Sequence, residues 1–434
     1  MRRASVRRTH DTSAHAGHRH ARGRVPRKRP CRDFQCAHSR PAGTHRAGRA
    51  HWWLHRCSAY KRAQVPGRRR ICACHFVAAA MASSPVPLVA ALWLCTLFFG
   101  AAGEAAPGMS SAFRGRATDP NMEVKFDFSP FLIQYKSGRV RRFMGTTFVP
   151  PSLDSRTGVA SRDVAVDQRT GLAVRLYRPS RRAVAAGGGG GKKLPVLVYF
   201  HGGAFAVESA FDPVYHNYLN TLTARAGVVA VSVNYRLAPE HPLPAAYDDS
   251  WAALAWVLDN ARRGGGDPWL SRHGDASRVF LAGDSAGGNI AHNLAMRAGQ
   301  QQQQGGHGAA RIRGVALLDP YFLGRYVDPG ARRAWGFICA GRYGTGHPYV
   351  NPTALPAAAW RRLPSARVLM TVSDQDRLGP FQRAYVDALR RSGWGGRAQL
   401  YVTHGEGHCY FLNNLDSPKA AMHMATLAAF INGS

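Results

Sequence analysis

Six short apolar runs, rich in valine and leucine, recur along the chain from residue 194 onward. They cover residues 194–200, 227–236, 278–284, 314–322, 367–373 and 398–404. Runs of this length without polar alternation are typical of strands buried on both faces of a parallel sheet. Between them, residues 247–263 and 285–298 place apolar side chains at helical spacing. The order predicts an α/β fold of repeated βα units, with a mostly parallel central sheet and helices on both faces.

The first 80 residues follow neither pattern. Residues 1–80 hold 20 Lys and Arg against 2 Asp and Glu, so more than half of the net charge of +33 lies there. Without apolar periodicity, this segment is predicted to be a disordered basic extension. Three origins remain open: a nucleic-acid-binding arm, an organellar transit peptide, or a gene model that starts too far upstream. Charge runs without interleaved aromatic side chains are usually solvated, and we expect no nucleic acid as a partner of the catalytic domain.

Residues 81–108 form a second segment, which contains one continuous apolar run. The run, residues 88–99, is 12 residues long, too short to span a bilayer but of the length of a signal-peptide core. It acts as a signal for the secretory pathway only if translation starts near Met81, and the alternative interpretation is a buried helix. No stable membrane span is therefore predicted. Met109 is another candidate start, and residues 109–434 are assigned to the catalytic domain.

Cysteine usage indicates neither a disulfide framework nor a metal site. Of the 8 cysteines, only Cys339 and Cys409 lie in the catalytic domain. The His and Cys groups of the basic extension lack the paired spacing of a zinc site. The sequence therefore predicts no bound metal and leaves the redox compartment open.

Ser285 stands in Gly-Asp-Ser-Ala-Gly, residues 283–287, between a predicted strand and a predicted helix. Small residues on both sides permit the sharp turn of a nucleophile elbow, and the N-terminus of the helix favours developing negative charge. This placement predicts that Ser285 is a catalytic nucleophile rather than a serine in a structural turn.

A nucleophilic serine in such an elbow requires an acid and a histidine later in the chain. Asp374 and Asp376 both follow the run that ends at residue 373, and their positions alone do not separate them. His408 is the candidate base because it lies in a glycine-rich loop late in the chain, which distinguishes it from His241 and His404. The loops of Asp376 and His408 follow the carboxyl ends of strands, where open α/β sheets bind ligands.

The third requirement is a set of backbone N–H groups that bind an oxyanion. Ala286, the residue after the nucleophile, supplies one of them. Gly202 and Gly203 follow the 194–200 run in the sequence His-Gly-Gly-Ala-Phe. They are the predicted donors from an earlier loop, because glycines let the backbone approach a substrate carbonyl closely.

Taken in order, these motifs resemble those of plant carboxylesterases in the hormone-sensitive-lipase-like α/β-hydrolase family. They are HGGAF at 201–205, NYRLAPEHPLPAAYDD at 234–249, GDSAGGNIAHNLA at 283–295, DPYF at 319–322, VSDQD at 372–376 and GEGHCYF at 405–411. The resemblance covers residues 119–431 and implies an α/β-hydrolase fold with an N-terminal cap region. It implies that the residues before Val124 and residues 337–352 line or cap the acyl pocket.

The activity implied by the resemblance is hydrolysis of small-molecule carboxylic esters of small acids, without a cofactor. The resemblance carries the triad onto Ser285, Asp376 and His408, which favours Asp376 over the other aspartate, and it implies a cytoplasmic protein. Two residues depart from the wider family. Ala204 stands where many relatives have a third glycine, and Asp319, where relatives often have histidine, is expected to alter the wall of the pocket.

Two alternatives arise within the same family. The gibberellin receptors share the fold as hormone-binding proteins but have lost the triad histidine, whereas His408 is present here. Other relatives act as a dehydratase or as tuliposide-converting enzymes that eliminate or transesterify, so a lyase or a transacylating enzyme is the second alternative. The sequence does not disclose the physiological ester, the acyl-chain preference or the oligomeric state.

Overall fold

The computed structural model describes residues 120–180, 192–262, 266–304 and 312–433. The basic extension predicted for residues 1–80 and the signal-like segment predicted for residues 81–108 lie outside these ranges. The boundary at residue 109 also lies outside them, so the division into segments stays a prediction.

Two sheets form the β-structure of the described residues. A small antiparallel sheet has the order β1 (Val124–Phe128), β2 (Leu132–Tyr135), β3 (Val140–Arg142). The large sheet contains β4 (Val159–Asp167), β5 (Leu172–Pro179), β6 (Leu194–Phe200), β7 (Val229–Asn234), β8 (Gly274–Asp284), β9 (Ile312–Leu318), β10 (Arg367–Ser373) and β11 (Arg397–Thr403). Its spatial order is β11-β10-β9-β8-β6-β7-β5-β4. The strands from β7 to β11 along this order pair in parallel, and β5 and β4 continue the sheet antiparallel.

Helices cover both faces of the large sheet. In chain order they are α1 (Pro213–Ala226), α2 (Ala245–Arg262), α3 (Pro268–His273), α4 (Ala286–Gln303), α5 (Pro329–Ile338), α6 (Ala357–Trp360), α7 (Gly379–Arg391) and α8 (Pro418–Asn432). The apolar sides of α1 and α8 pack in one core cluster. Those of α2, α4 and α7 pack in another. This arrangement confirms the predicted α/β-hydrolase class with helices on both faces of a mostly parallel sheet.

Strand β6 explains why the apolar runs lack alternation. Val196, Val198 and Phe200 face the cluster that includes α2 and α4, whereas Leu197 and Tyr199 face the cluster of α1 and α8. All five side chains are fully buried. Full burial of one such apolar side chain contributes roughly 1.5–3 kcal/mol to the free energy of unfolding. Apolar residues are therefore favoured on both faces of a central strand.

Local signals fix where the long helices begin and end. Helix α1 follows Asp212, whose side chain accepts a hydrogen bond from the Val214 N–H, and it ends at Gly227 in the left-handed conformation. Helix α8 begins after Ser417, whose side chain caps the Ala420 N–H. Both helices have proline in the first turn, where its missing N–H is not needed.

The structure differs from the predicted elements of the large sheet mainly at two places. Strands β4 and β5 were not predicted. Strand β4 is an edge strand with mostly half-exposed side chains, so its residues form neither a buried run nor a clean alternation, and in β5 Arg175 and Arg178 interrupt the apolar run. The strand predicted for residues 314–322 ends at Leu318. Asp319 takes a φ of 42°, a left-handed conformation that ends extended pairing.

The small sheet packs against the loops that follow the parallel strands. Phe126 stacks on Phe337 of α5 with 4.1 Å between ring centroids. Arg142 donates to the carbonyl of Ala206 and pairs with Glu240. The N-terminal part of the described chain therefore covers the edge where the strands β6 and β7 end. No helix within the described residues is both long and apolar enough to cross a membrane.

Candidate active site

Ser285 occupies a strained turn between β8 and α4. Its φ of 49° and ψ of −116° are unusual for a residue with a side chain. The turn is also sterically tight, because an ideal Cβ on Gly287 would lie 1.9 Å from the carbonyl oxygen of Phe200. Only glycine fits there, so the glycine of the motif lets α4 approach β6 and pushes the serine side chain out of the turn.

The Ser285, His408 and Asp376 side chains form a continuous hydrogen-bonded chain. His408 Nε2 lies 2.8 Å from Ser285 Oγ, and His408 Nδ1 lies 2.7 Å from Asp376 Oδ2. A carboxylate on Nδ1 fixes the tautomer with a proton on that nitrogen, which leaves Nε2 to accept the serine proton. The three residues stand 123 and 32 positions apart in sequence, and the parallel strands bring them to one edge of the sheet.

Asp376 is held by groups that the sequence did not point to. Its Oδ1 accepts from the Leu378 N–H at 2.8 Å, and its Oδ2 accepts from the Gln382 side-chain amide at 2.9 Å. The same amide of Gln382 donates to the carbonyl of Pro320. Gln382 lies one turn into α7, and no motif marks it, because its role depends on a contact with a distant loop.

The other candidates for the acid and the base, Asp374, His404 and His241, are not part of this hydrogen-bonded chain. Asp374 accepts from the Gly405 N–H and pairs with His404, whose side chain is 84% exposed. Within the described chain, neither Asp374 nor His404 forms a hydrogen bond with Ser285. His241 is exposed. Geometry therefore separates the two aspartates that sequence position left equivalent.

The electrostatics of the triad favour an ion pair. Burial alone would lower the pKa of His408, but the charge and hydrogen bond of Asp376, with the charges of Asp319 and Asp284, raise it above its usual value of 6.5. Burial opposes ionisation of Asp376, yet its interactions with His408 and the Leu378 N–H hold its pKa below 3.8. The site is thus organised to stabilise an imidazolium next to a carboxylate.

The loop after β6 corrects one of the predicted oxyanion donors. The Gly202 N–H donates to the hydroxyl of Tyr215 at 2.8 Å and is not available to an oxyanion. The N–H groups of Gly203 and Ala204 have no hydrogen-bond acceptor among the described residues. Ala286 opens α4, where the first amides have no partner within the helix. Within the described chain, the candidate oxyanion donors are therefore the N–H groups of Gly203, Ala204 and Ala286.

The buried carboxylate of Asp284 holds this loop in place through hydrogen bonds to tyrosine hydroxyls. Asp284, 1% exposed, accepts from the hydroxyls of Tyr199 at 2.8 Å and Tyr215 at 2.9 Å. Burial raises the pKa of Asp284 to about 6, against the lowering effect of the two hydroxyls. Asp284 thereby connects the nucleophile turn to the loop that carries Gly202. This network was not predicted from the sequence, although an aspartate directly before the serine is a visible signal.

Asp319 was expected on the wall of the pocket, but the structure buries it instead. It is 1% exposed and accepts hydrogen bonds from Ser373 and from the Cys409 N–H. Asp319, His408 and Cys409 each place one potential ligand atom within 4.8 Å of the others. His408 already uses both ring nitrogens in the triad, so the group serves hydrogen bonding, and the absence of a metal stays a prediction.

Comparison with known proteins identifies the family. A family model described as an alpha/beta hydrolase fold matches residues 197–412. The chain is 43% identical to "Tuliposide A-converting enzyme 2, chloroplastic" of Tulipa gesneriana over 72% of this chain and 79% of that protein. It is 39% identical to "Probable carboxylesterase 13" of Arabidopsis thaliana over 72% of this chain and 98% of that protein.

Solved structures agree with the sequence matches. An esterase from Pyrobaculum calidifontis superposes with a TM-score of 0.50 at 25% identity, covering 63% of this chain and 84% of that one. The esterase LipW from Mycobacterium marinum gives a TM-score of 0.50 at 26% identity, covering 63% and 82%. The elbow, the order of the motifs and these relatives together show that the chain belongs to the hormone-sensitive-lipase-like family of α/β-hydrolases, with the plant carboxylesterases.

Proposed function

We propose that this protein hydrolyses carboxylic esters with Ser285 as the nucleophile, His408 as the general base and Asp376 as the group that orients it. The observation that carries the proposal is the continuous chain of two hydrogen bonds, 2.8 Å and 2.7 Å long, from the Ser285 hydroxyl through the imidazole to the carboxylate. Such a chain activates a hydroxyl that is otherwise a weak nucleophile at neutral pH.

In the first half of the proposed reaction, Ser285 Oγ attacks the ester carbonyl carbon while its proton moves to His408 Nε2. The carbonyl π electrons move onto oxygen, and the oxyanion accepts hydrogen bonds from the N–H groups of Gly203, Ala204 and Ala286. The tetrahedral intermediate collapses when the C–O bond to the alcohol breaks, and His408 returns the proton to the leaving alkoxide. An acyl-enzyme and a free alcohol result.

The second half repeats these steps with water. His408 takes a proton from water as its oxygen attacks the acyl carbon, and the proton then returns to Ser285 Oγ when the free acid leaves. Removing one oxyanion donor in enzymes of this kind costs about 100-fold or more in kcat. The cycle consumes only ester and water, and no step calls for a cofactor.

The relatives support a small-molecule ester as the substrate class. The Arabidopsis thaliana relative is named a probable carboxylesterase, and two solved neighbours at 25% and 26% identity are esterases. The 98% coverage of the Arabidopsis relative means that the comparison extends over nearly its whole length.

A second candidate is acyl transfer to an alcohol. The 43% identity to an enzyme named for converting tuliposide A favours it. The same acyl-enzyme would then pass its acyl group to a hydroxyl oxygen instead of water, with His408 accepting the hydroxyl proton. The product is an ester rather than a free acid, so product analysis separates the two candidates.

The test is hydrolysis of p-nitrophenyl esters from acetate to decanoate by the full chain and by Ser285→Ala and His408→Ala. Activity on short esters that falls by at least about 1,000-fold in both variants supports the proposal. Asp376→Asn and Asp374→Asn form a matched pair, because only the first touches His408. No turnover of any ester by folded protein contradicts the proposal, and ligand binding without turnover would favour the receptor alternative.

The cellular location also belongs to the proposal. Two tulip relatives, 43% and 42% identical to this chain, are named chloroplastic. Residues 1–80 are rich in arginine and poor in acidic residues, as plastid transit peptides are. We therefore infer delivery to a plastid rather than the cytoplasm. Fluorescent fusions that begin at Met1, Met81 or Met109 test it: plastid fluorescence for the first alone supports the inference, and secretory or cytoplasmic fluorescence for the first contradicts it.

A further inference from the structure

Asp319 is a buried carboxylate that the reaction described above does not use. It directly follows β9, and its carboxylate accepts four hydrogen bonds. Oδ1 accepts from the Thr371 hydroxyl at 3.3 Å and the Ser373 N–H at 3.1 Å. Oδ2 accepts from the Ser373 hydroxyl at 2.6 Å and the Cys409 N–H at 3.0 Å. The carboxylate thus joins the ends of β9 and β10 to the loop that carries His408.

The hydrogen bond to Cys409 acts on the catalytic loop itself. Cys409 follows His408 in sequence and takes a φ of 53°, so the backbone makes a sharp left-handed turn at this point. A turn of this kind is costly for a residue with a side chain and persists only where neighbouring contacts fix it. Asp319 supplies such a contact from outside the loop.

Among the described residues, His408 is the one group beside Asp319 that can carry a positive charge. None of the Lys or Arg side chains in the described ranges pairs with it. A carboxylate oxygen of Asp319 lies within 4.8 Å of a ring nitrogen of His408, and the charge of Asp319 raises the pKa of that imidazole. Burial raises the pKa of Asp319, and the charge of His408 opposes this rise, because a buried charge is costly unless an opposite charge forms beside it.

The other groups around the pair are identified by their elements. Asp376 after β10 and Asp284 at the end of β8 add negative charge near His408, and the thiol of Cys409 lies beside it. Burial raises the pKa of the Tyr410 hydroxyl, and the charge of Asp319 adds to this increase. From α8, His423 contacts the Thr371 hydroxyl, and burial lowers the pKa of His423 to about 3, so it is neutral.

We propose that Asp319 is a positioning residue of the triad: it fixes the His408 loop through the Cys409 N–H and stabilises the imidazolium that forms when Ser285 attacks. The proposal rests on the proposed esterase function. It differs from a purely structural role in one respect, because a charge near His408 changes its protonation whereas a packing contact does not. The neutral, nearly isosteric Asp319→Asn variant separates the two roles.

The experiment compares the full chain with Asp319→Asn and with Asp374→Asn. Asp374 is a control aspartate that follows the neighbouring strand β10 and contacts His404 instead of His408. The pH profile of kcat/KM on p-nitrophenyl acetate is recorded for each. In Asp319→Asn, the acid limb is expected to move down by about one pH unit, and the alkaline plateau to fall about 10-fold or more. The control is expected to change neither.

A second readout does not depend on ester turnover. Diisopropyl fluorophosphate reacts with an activated serine: a phosphorus–oxygen bond to Ser285 forms, fluoride leaves, and His408 takes the serine proton. The rate of labelling therefore follows the same protonation of His408. If the full chain labels at Ser285 but hydrolyses no ester, the proposed function fails and the labelling profile still decides the role of Asp319. If Ser285 does not label, both proposals fall.

The outcomes are distinguishable. A folded Asp319→Asn variant whose plateau falls without a change in the acid limb overturns the electrostatic role, and so does a profile equal to that of the unsubstituted protein. If Asp319→Asn does not fold, Asp319→Ser, which keeps a small hydrogen-bond acceptor without the charge, is measured in the same way. The shift of the acid limb in either variant, absent in the control, is the result that the proposal requires.

Discussion

The Tyr215 hydroxyl donates to Asp284 Oδ2 at 2.9 Å and thereby connects helix α1 to the residue directly before Ser285. The same hydroxyl accepts the Gly202 N–H. The Tyr215 hydroxyl therefore holds the loop that carries Gly202 and the turn at Ser285 in fixed relative positions. Catalysis of acyl transfer depends on this spacing, because the oxyanion donors must already face the position at which the negative charge develops.

Tyr215→Phe is expected to lower both stability and kcat. The substitution leaves the buried Gly202 N–H without a partner and Asp284 with one hydroxyl fewer, at a cost of about 1–3 kcal/mol in the free energy of unfolding. Urea unfolding and ester hydrolysis measure the two effects. Tyr218→Phe is the matched control, because the Tyr218 hydroxyl is buried without a hydrogen-bond partner in the described part of the chain. Equal losses in both variants would show that the hydroxyl of Tyr215 has no special role.

Hydrolysis is expected to increase with pH along a limb whose midpoint lies above 6.5. The charge of Asp376 and its hydrogen bond outweigh burial and raise the pKa of His408, and only the neutral imidazole accepts the Ser285 proton. As the pH falls below this pKa, the base is protonated and activity is lost. Profiles of kcat/KM from about pH 5 to about pH 10 measure the midpoint. A midpoint at or below 6.5 contradicts the assignment of a raised pKa.

Gly287→Ala is expected to destabilise the protein by more than about 3 kcal/mol. The added methyl group would lie 1.9 Å from the Phe200 carbonyl oxygen, so α4 and β6 must separate. Gly336→Ala in α5 is the control, because its Cβ meets nothing within 4 Å and alanine favours a helix by about 0.5–1 kcal/mol. Thermal or urea unfolding of both variants measures the difference, and a stable Gly287→Ala protein would rule out close packing at the turn.

Glu208→Gln is expected to stabilise the protein more at high pH than at low pH. Burial raises the pKa of Glu208 to about 8, and the charges of Asp212 and Asp284 add to the effect. Between pH 4.5 and this value the unfolded chain releases a proton that the folded protein keeps, so stability falls as the pH rises. Glutamine removes that dependence, and we expect a gain of at least about 1 kcal/mol above pH 8 relative to pH 4.5.

Glu240→Gln is the control of opposite sign for this experiment. The hydrogen bond and charge of Arg142 outweigh burial and lower the pKa of Glu240. The stability that Glu240 contributes is present above pH 4.5 and is lost as the pH falls through its lowered pKa. Urea unfolding at several pH values measures both variants, and a pH dependence of the same sign in the two would contradict the assignment.

The fold class and the chain order of the candidate site residues can be predicted from the sequence alone. Central strands such as β6 are buried on both faces, so their apolar runs are visible without any contact information. The elbow glycines around Ser285 and the loops of Asp376 and His408 are marked by local residue types. These features are local because backbone conformation and burial constrain each short segment separately.

Which side chains contact one another can be seen only in the folded protein. Asp376 differs from Asp374 through a hydrogen bond to a histidine 32 positions away, and Gly202 is excluded as a donor by a tyrosine hydroxyl on another element. Asp319 is buried against Ser373 and the Cys409 N–H, and not on the pocket wall, because strands β9 and β10 are neighbours in the sheet. Whether two groups far apart in sequence form a hydrogen bond depends on their atomic separation to within a few tenths of an ångström. The spacing of residues along the chain does not encode this separation.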